Sequence, residues 1–256
     1  MNTLRTYATP AVVLRQSDLG EADRIVTLYT PFHGKVRAVA KGARRPTSHL
    51  GGHVELLTHC RVFIARGRDL DIVTQAETIE PFLGLRDDLL RATLACYAVE
   101  LLDRLTVDRS PEPETFDLLV ATLGRIAEDR NPELALRLYQ MRLFGQMGYQ
   151  PQLRRCTHCG QSLAPDGNTF SITLGGVLCP ECATADTLAR ALSGGAFRML
   201  RLFEAGDYAL ASRVRLPEPI RRELDMLLRA YGEHIIEREV KSGRLLAMLR
   251  AERRAP

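Results

Sequence analysis

Four cysteines in the second half of the chain occur as two Cys-x-x-Cys pairs, separated by nineteen residues. Each pair can direct two thiolates at one cation, and four thiolates complete the tetrahedral coordination typical of structural zinc. Residues 169–178, between the pairs, have the pattern of a β-hairpin. We therefore expect residues 151–183 to form a zinc ribbon around one structural Zn²⁺ ion. The predicted metal ligands are Cys156, Cys159, Cys179 and Cys182.

Other interpretations of these cysteines concern redox chemistry and catalysis. A redox Cys-x-x-Cys motif normally occurs singly at a helix start, but two redox or disulfide pairs remain the alternative. His158 is a further candidate ligand within the first pair. A catalytic zinc needs an open coordination position, which four cysteines do not leave. His53 and Glu55 imitate part of a zinc-deaminase motif, but that motif requires proline at position 178, which is leucine.

A run of basic residues near the N-terminus is the second feature that could bind a ligand. Residues 24–54 contain six lysines and arginines and no acidic residue, whereas the two charges are mixed elsewhere. Polar and apolar residues alternate over 35–40, which predicts a half-buried strand with its cations on one side. Such a row can follow the phosphates of a nucleic acid. The predicted DNA contacts are Lys35, Arg37, Lys41, Arg44 and Arg45, and a solvated charged surface is the alternative.

Two aromatic residues and a basic tail accompany this run. Tyr29 and Phe32 could stack on bases, although core positions are the more common role for such rings. The tail is rich in cations, which could contact phosphates or could simply complement the negative end of a helix. Its basic residues are Arg238, Lys241, Arg244, Arg250, Arg253 and Arg254.

The secondary structure that must position these residues changes from predicted strands to predicted helices near residue 80. Short β-branched runs separated by glycines and prolines predict five strands, at residues 11–15, 25–29, 35–40, 54–65 and 70–78. Five short strands in this length indicate an OB-type barrel over residues 1–80. Helical periodicity then predicts a helical domain over residues 81–256, including one long last helix that begins after Pro219 and reaches toward Leu249. The fold class is therefore multidomain α+β, with the ribbon inserted into the helical domain.

Bulk composition and missing motifs limit the possible functions. The 256 residues are 45% hydrophobic and carry a net charge of +4, as in ordinary globular proteins. No apolar run is long enough for a membrane span, and the N-terminus does not have the pattern of a signal peptide. Neither a phosphate-binding loop nor a Gly-x-Ser-x-Gly motif is present. We therefore expect a cytoplasmic protein that is not an enzyme and has no membrane partner.

Three segments resemble the bacterial RecO family of recombination-repair proteins. They are residues 11–14, residues 20–26 and residues 34–45, the last with the pattern Gly-Lys-x5-Lys-Gly-x-Arg-Arg. The helical region with an inserted four-cysteine ribbon extends this resemblance over essentially the whole chain. Some relatives lack the ribbon ligands, so the resemblance supports the zinc site but does not require it.

The resemblance implies a role in DNA repair and recombination. Members of this family bind single- and double-stranded DNA and anneal complementary strands without nucleotide. They engage the C-terminal tail of SSB and, with RecR and in some cases RecF, help to load RecA onto gapped DNA. The resemblance thus implies a nucleoid-associated protein whose barrel contacts DNA through the five cations named above. A zinc-dependent nucleic-acid hydrolase and a ribbon scaffold that binds only proteins are the competing hypotheses.

Overall fold

The computed structural model describes residues 6–252 and divides into two compact units, with the boundary after Asp129. Within the described residues, no helix combines the length and the apolar character that crossing a bilayer requires. The boundary places two helices in the same unit as the barrel. The sequence predicts a domain boundary at residue 80, because strands are predicted before that residue and helices after it. That boundary stays a prediction.

The first unit contains a closed barrel of five strands in the order β1-β2-β3-β5-β4. Neighbouring strands are antiparallel except β3 and β5, which pair in parallel through residues 38–40 and 71–73. β1 closes the barrel by pairing with β4. This confirms the predicted OB-like barrel. The strands are β1 (Thr6–Leu19), β2 (Asp23–Thr30), β3 (Gly34–Ala40), β4 (His59–Ala65) and β5 (Asp71–Glu80).

Alternation along the strands determines which side chains fill the barrel. In β3, Val36, Ala38 and Ala40 are buried in the core, so the intervening side chains project outward. The strand predicted at residues 54–65 begins only at His59. The preceding residues form a short 3-10 helix and a turn, in which Leu57 has a φ of +68° and donates its N–H to the Val13 carbonyl.

Two helices complete the first unit, α1 (Leu89–Leu105) and α2 (Pro113–Glu128). The side chain of Asp88 accepts hydrogen bonds from two backbone N–H groups of the first turn of α1, which fixes where that helix begins. Pro113 occupies the first turn of α2, where its missing N–H costs no hydrogen bond. Phe116 of α2 contacts His59 of the barrel in a T-shaped arrangement, with 5.7 Å between the ring centres.

The described part of the second unit, residues 130–252, contains five α-helices around an apolar core. The long last helix that the sequence predicts is in fact two of them. Helix α6 ends near Ile236, and Glu237 follows with a φ of +52°, a left-handed conformation that stops the helical hydrogen-bond pattern. The prediction of one continuous helix was therefore wrong. The helices are α3 (Pro132–Gln146), α4 (Gly194–Ala205), α5 (Tyr208–Arg213), α6 (Glu218–Ile235) and α7 (Lys241–Glu252).

A small three-stranded sheet lies between α3 and α4 in the chain. It consists of β6 (Thr169–Ser171), β7 (Gly176–Leu178) and β8 (Arg190–Ala191), in the order β7-β6-β8. The predicted hairpin is confirmed, and the third strand extends the ribbon beyond residue 183. Tyr231 of α6 packs edge-on against both Phe144 of α3 and Phe170 of β6, at 5.4 and 5.6 Å between ring centres. These T-shaped contacts fix the ribbon to the helices.

Candidate functional site

The four predicted ligand cysteines converge at one point in the ribbon. Their sulfur atoms all lie within 4.8 Å of one another, and the Sγ atoms of Cys159 and Cys179 are 3.8 Å apart. Zinc–sulfur bonds of about 2.3 Å in a tetrahedron require sulfur atoms about 3.8 Å apart. The set can therefore hold one metal ion. His158 is exposed and does not belong to it.

Backbone hydrogen bonds shape the two loops that present the sulfur atoms. Gly160 donates its N–H to the Cys156 carbonyl at 2.9 Å, and Cys182 donates to the Cys179 carbonyl at 3.0 Å. Gly160 has a φ of +75°, which a residue with a side chain adopts only at an energetic cost. The glycine after the first pair is thus part of the loop geometry.

The surroundings of these thiols suit a cation. Burial raises the pKa of Cys156, but hydrogen bonds from backbone N–H groups of Cys159, Cys179 and His158 outweigh it and lower the pKa to about 6. Burial and the three neighbouring sulfur atoms raise the pKa of Cys182 to about 12. Four thiolates this close repel one another, so a bound metal ion is needed for all four to lose their protons together.

The basic residues predicted to touch DNA separate into exposed and buried positions. Arg37, Lys41 and Arg45 are exposed, Arg37 on the outer face of β3 and the other two just after it. The strand pairing brings a further cation, Arg15, to this group. Thr27 of β2 lies opposite Arg15 of β1 on one side and opposite Arg37 of β3 on the other. Residues that face each other across a sheet share one side of it, so Arg15 and Arg37 lie on the same outer face. Arg15 was not predicted, because its position depends on which strands pair.

Arg44 is also at the surface, although its guanidinium has partners within the protein. It donates to the Gly20 carbonyl at 3.0 Å and lies 3.4 Å from the carboxylate of Asp18. Its backbone N–H donates to the Ala22 carbonyl at 2.9 Å. These contacts tie the loop after β3 to the turn between β1 and β2. An exposed ion pair of this kind is weak, so Arg44 can exchange Asp18 for another anion.

Lys35 does not belong to this surface. It is 9% exposed, and its ammonium donates to the backbone carbonyls of Asp103 at 2.6 Å and Thr106 at 2.9 Å. The same group lies 3.1 Å from the Asp103 carboxylate and 3.5 Å from that of Asp108. The expectation that Lys35 continues the exposed row is therefore wrong, because residues 103–108 cover it and use all its hydrogen-bonding capacity.

The other sequence candidates have mixed outcomes. Tyr29 is fully buried, whereas Phe32 is 66% exposed. In the tail, Arg250 forms ion pairs at 2.8 Å with Glu133 and at 3.2 Å with Asp225. These pairs link α7 to α3 and α6. The remaining basic residues of the described tail, Arg238, Lys241 and Arg244, are exposed, whereas Arg253 and Arg254 lie outside the described residues.

Removing the Lys35 ammonium is expected to destabilise the first unit. We predict that Lys35→Met lowers the free energy of unfolding by about 3 kcal/mol, because it removes the nearest cation of the largely buried Asp103 carboxylate and leaves only the exposed Arg15, 3.8 Å away. Urea denaturation followed by circular dichroism measures this change. Lys41→Met is the matched control and should stay within about 0.5 kcal/mol of the original protein, since Lys41 is exposed. Equal stability of the two variants would show that the Lys35 contacts contribute little.

Comparison with known proteins gives one consistent match. The family model "Recombination protein O N terminal" matches residues 1–82, and "Recombination protein O C terminal" matches residues 86–244. A DNA repair protein RecO of Roseiflexus sp. (strain RS-1) is 43% identical over 93% of this chain and 84% of its own length. The RecO of Symbiobacterium thermophilum is 38% identical over 96% of this chain and 99% of its own length. With both family models and these relatives in agreement, the chain belongs to the RecO family of DNA repair proteins.

Proposed function

We propose that this chain is a DNA-binding recombination mediator that holds single- and double-stranded DNA on the outer face of its barrel. The observation that carries the proposal is the group of exposed cations on and beside that face. Among the described residues, Asp18, which pairs with Arg44, is the one carboxylate within ion-pair distance of the side chains at 41–45. The proposed contacts are Arg15, Arg37, Lys41, Arg44 and Arg45.

The proposed mechanism of annealing is electrostatic. Lysine and arginine side chains that bind phosphates release condensed counterions, which provides the binding free energy and lowers the repulsion between strands. Two complementary strands held at high local concentration can then pair without an energy source. Nucleotide hydrolysis has no part in this mechanism. We place the protein in the cytoplasm, associated with the nucleoid.

We propose partners for the later steps from the resemblance to the family. RecR, and RecF where it takes part, would act with this protein in loading RecA onto DNA gaps. The acidic C-terminal tail of SSB would bind in the second unit. A groove between α6 and α7 has suitable chemistry, since Arg222 and Arg229 line it beside the half-exposed side chain of Met226, while Arg250 in the same groove neutralises Asp225. DNA coated with SSB is therefore the substrate on which the function should be measured.

We propose that the metal of the cysteine cluster is one zinc ion with a structural role. Zinc prefers four thiolates at the spacing that these sulfur atoms have. With four cysteines coordinated, no position remains for a water molecule, so we assign no catalytic step to the metal. A sheet with strands of two or three residues has too little core to fold alone, and the ion would supply the missing stability.

Removing two arginines of the proposed surface tests the DNA-binding function. Arg44→Ala combined with Arg45→Ala should weaken binding to single-stranded DNA about tenfold at low salt. The slope of log affinity against log salt should become shallower by about 1.4, since each phosphate contact contributes about 0.7. Fluorescence anisotropy of a labelled oligonucleotide measures both quantities.

A matched control uses two exposed arginines elsewhere in the same unit. Arg61→Ala combined with Arg86→Ala removes the same charge and should leave the salt slope unchanged. An unchanged slope in the Arg44 and Arg45 variant would place the DNA contact elsewhere. A complete lack of salt-dependent DNA binding by the original protein would favour the hypothesis of a scaffold that binds only proteins.

Replacing one ligand tests the zinc site. Cys156→Ser should reduce bound zinc well below one ion per chain and unfold the ribbon, because a neutral hydroxyl is a poor substitute for a thiolate. Elemental analysis measures the metal, and limited proteolysis within residues 156–182 reports on the ribbon. Cys96→Ser is the control, since Cys96 lies in α1 and outside the cluster. One zinc ion per chain retained in the Cys156 variant would mean that the ligand set is wrong.

A further inference from the structure

The turn between β2 and β3 exposes an aromatic ring that the barrel core does not use. Phe32 is 66% exposed, whereas Tyr29 in the preceding strand is fully buried. The hydroxyl of Thr30 accepts a hydrogen bond from the His33 N–H at 3.1 Å and donates to the Gly34 carbonyl at 3.0 Å. These bonds close the turn across its base, so the backbone that carries the ring has a defined conformation.

Aromatic and basic groups surround this turn. The ring of His33 lies 4.0 Å from that of Tyr7, centre to centre, and the guanidinium of Arg66 lies 5.6 Å from the centre of the Tyr7 ring. Burial lowers the pKa of His33, and Arg66 and Arg109 lower it further against the opposing effect of Asp71, which favours the neutral ring. The His33 side chain thus adds aromatic surface to this cluster without adding charge.

The accessible charge in this cluster is positive. Arg66 and Arg68 are exposed in the loop between β4 and β5, and Asp69 is the exposed acid beside them. The other acid, Asp71, is 1% exposed and binds Arg109 at 3.1 Å. Arg66 reaches the turn of Phe32 through the Tyr7 and His33 rings, and Arg68 follows it in the same loop. Exposed arginines and an exposed ring are the combination with which proteins hold single-stranded nucleic acids, through phosphate contacts and base stacking.

This cluster is separate from the basic surface of the proposed function. Phe32 precedes β3 and Lys41 follows it, and the seven residues of that strand span about 20 Å. Between them, residues 103–108 cover the outer face of β3 at Lys35. A nucleic-acid strand on the outer cations of β3 therefore meets this covering segment before it reaches Phe32.

We propose that Phe32, with Arg66 and Arg68, forms a second surface for single-stranded nucleic acid at the opposite end of β3. One unpaired base stacks on the Phe32 ring, and the two arginines contact the adjoining phosphates. This inference rests on the proposed DNA-binding function and adds to it a contact that only unpaired bases can make. Two separate surfaces on one barrel allow two segments of strand to be held at once.

A single tryptophan introduced in place of Phe32 tests this inference directly. The chain contains no tryptophan, so Phe32→Trp creates the only indole fluorophore. Stacking of a base on the indole should quench its fluorescence when oligothymidylate is added, whereas a blunt duplex of equal length should not. Leu89→Trp is the matched control, since Leu89 is 62% exposed at the start of α1 in the same unit. Its fluorescence should not change.

Affinity measurements separate this surface from the basic one. Phe32→Ala should weaken oligothymidylate binding about fivefold or more, since a stacked base contributes at least that factor, with the salt slope unchanged. If the indole fluorescence of the Phe32→Trp variant stays constant while that variant binds oligothymidylate, or if duplex quenches it equally, the second surface is refuted and the proposed function stands. If the original protein binds no DNA even at low salt, the proposed function fails, and this inference fails with it.

Discussion

The closure of five strands into a barrel is the constraint on which the proposed DNA surface depends. Val36, Ala38 and Ala40 all point into the barrel, so Arg37 and Lys41 must point out. A shift of one residue in the pairing of β3 would turn every side chain over, burying the cations and exposing the apolar residues. The hydrophobic effect that forms the core thus also determines the face on which the positive charge lies.

The sequence predicts those parts of the structure that depend on local spacing. Alternation along β3 and the two Cys-x-x-Cys pairs are local patterns, and the barrel and the cysteine cluster follow from them. Lys35 has the same local pattern as Arg37, yet it is buried by residues 103–108, about seventy positions later in the chain. Contacts of that kind, like the strand pairing that brings Arg15 beside Arg37, are tertiary and have no signal in the local sequence.

The two units use different means to position their functional groups. The barrel is closed, and its exposed cations are carried by strands and by a loop that Arg44 fastens to the neighbouring turn. The ribbon has only short strands, and it depends on the packing of Tyr231 between Phe144 and Phe170 and on the cysteine cluster. Mutations in the ribbon are therefore expected to act on folding, whereas mutations of exposed arginines act on binding.

DNA binding by the outer barrel face can be measured as the rate at which complementary DNA strands coated with SSB anneal in the absence of nucleotide. The original protein should accelerate this reaction without ATP. A variant with Arg37→Ala, Lys41→Ala and Arg45→Ala that is shown by circular dichroism to be folded should lose most of the acceleration. Annealing by the variant at the original rate, or an absolute need for nucleotide, would contradict the proposed role of this face.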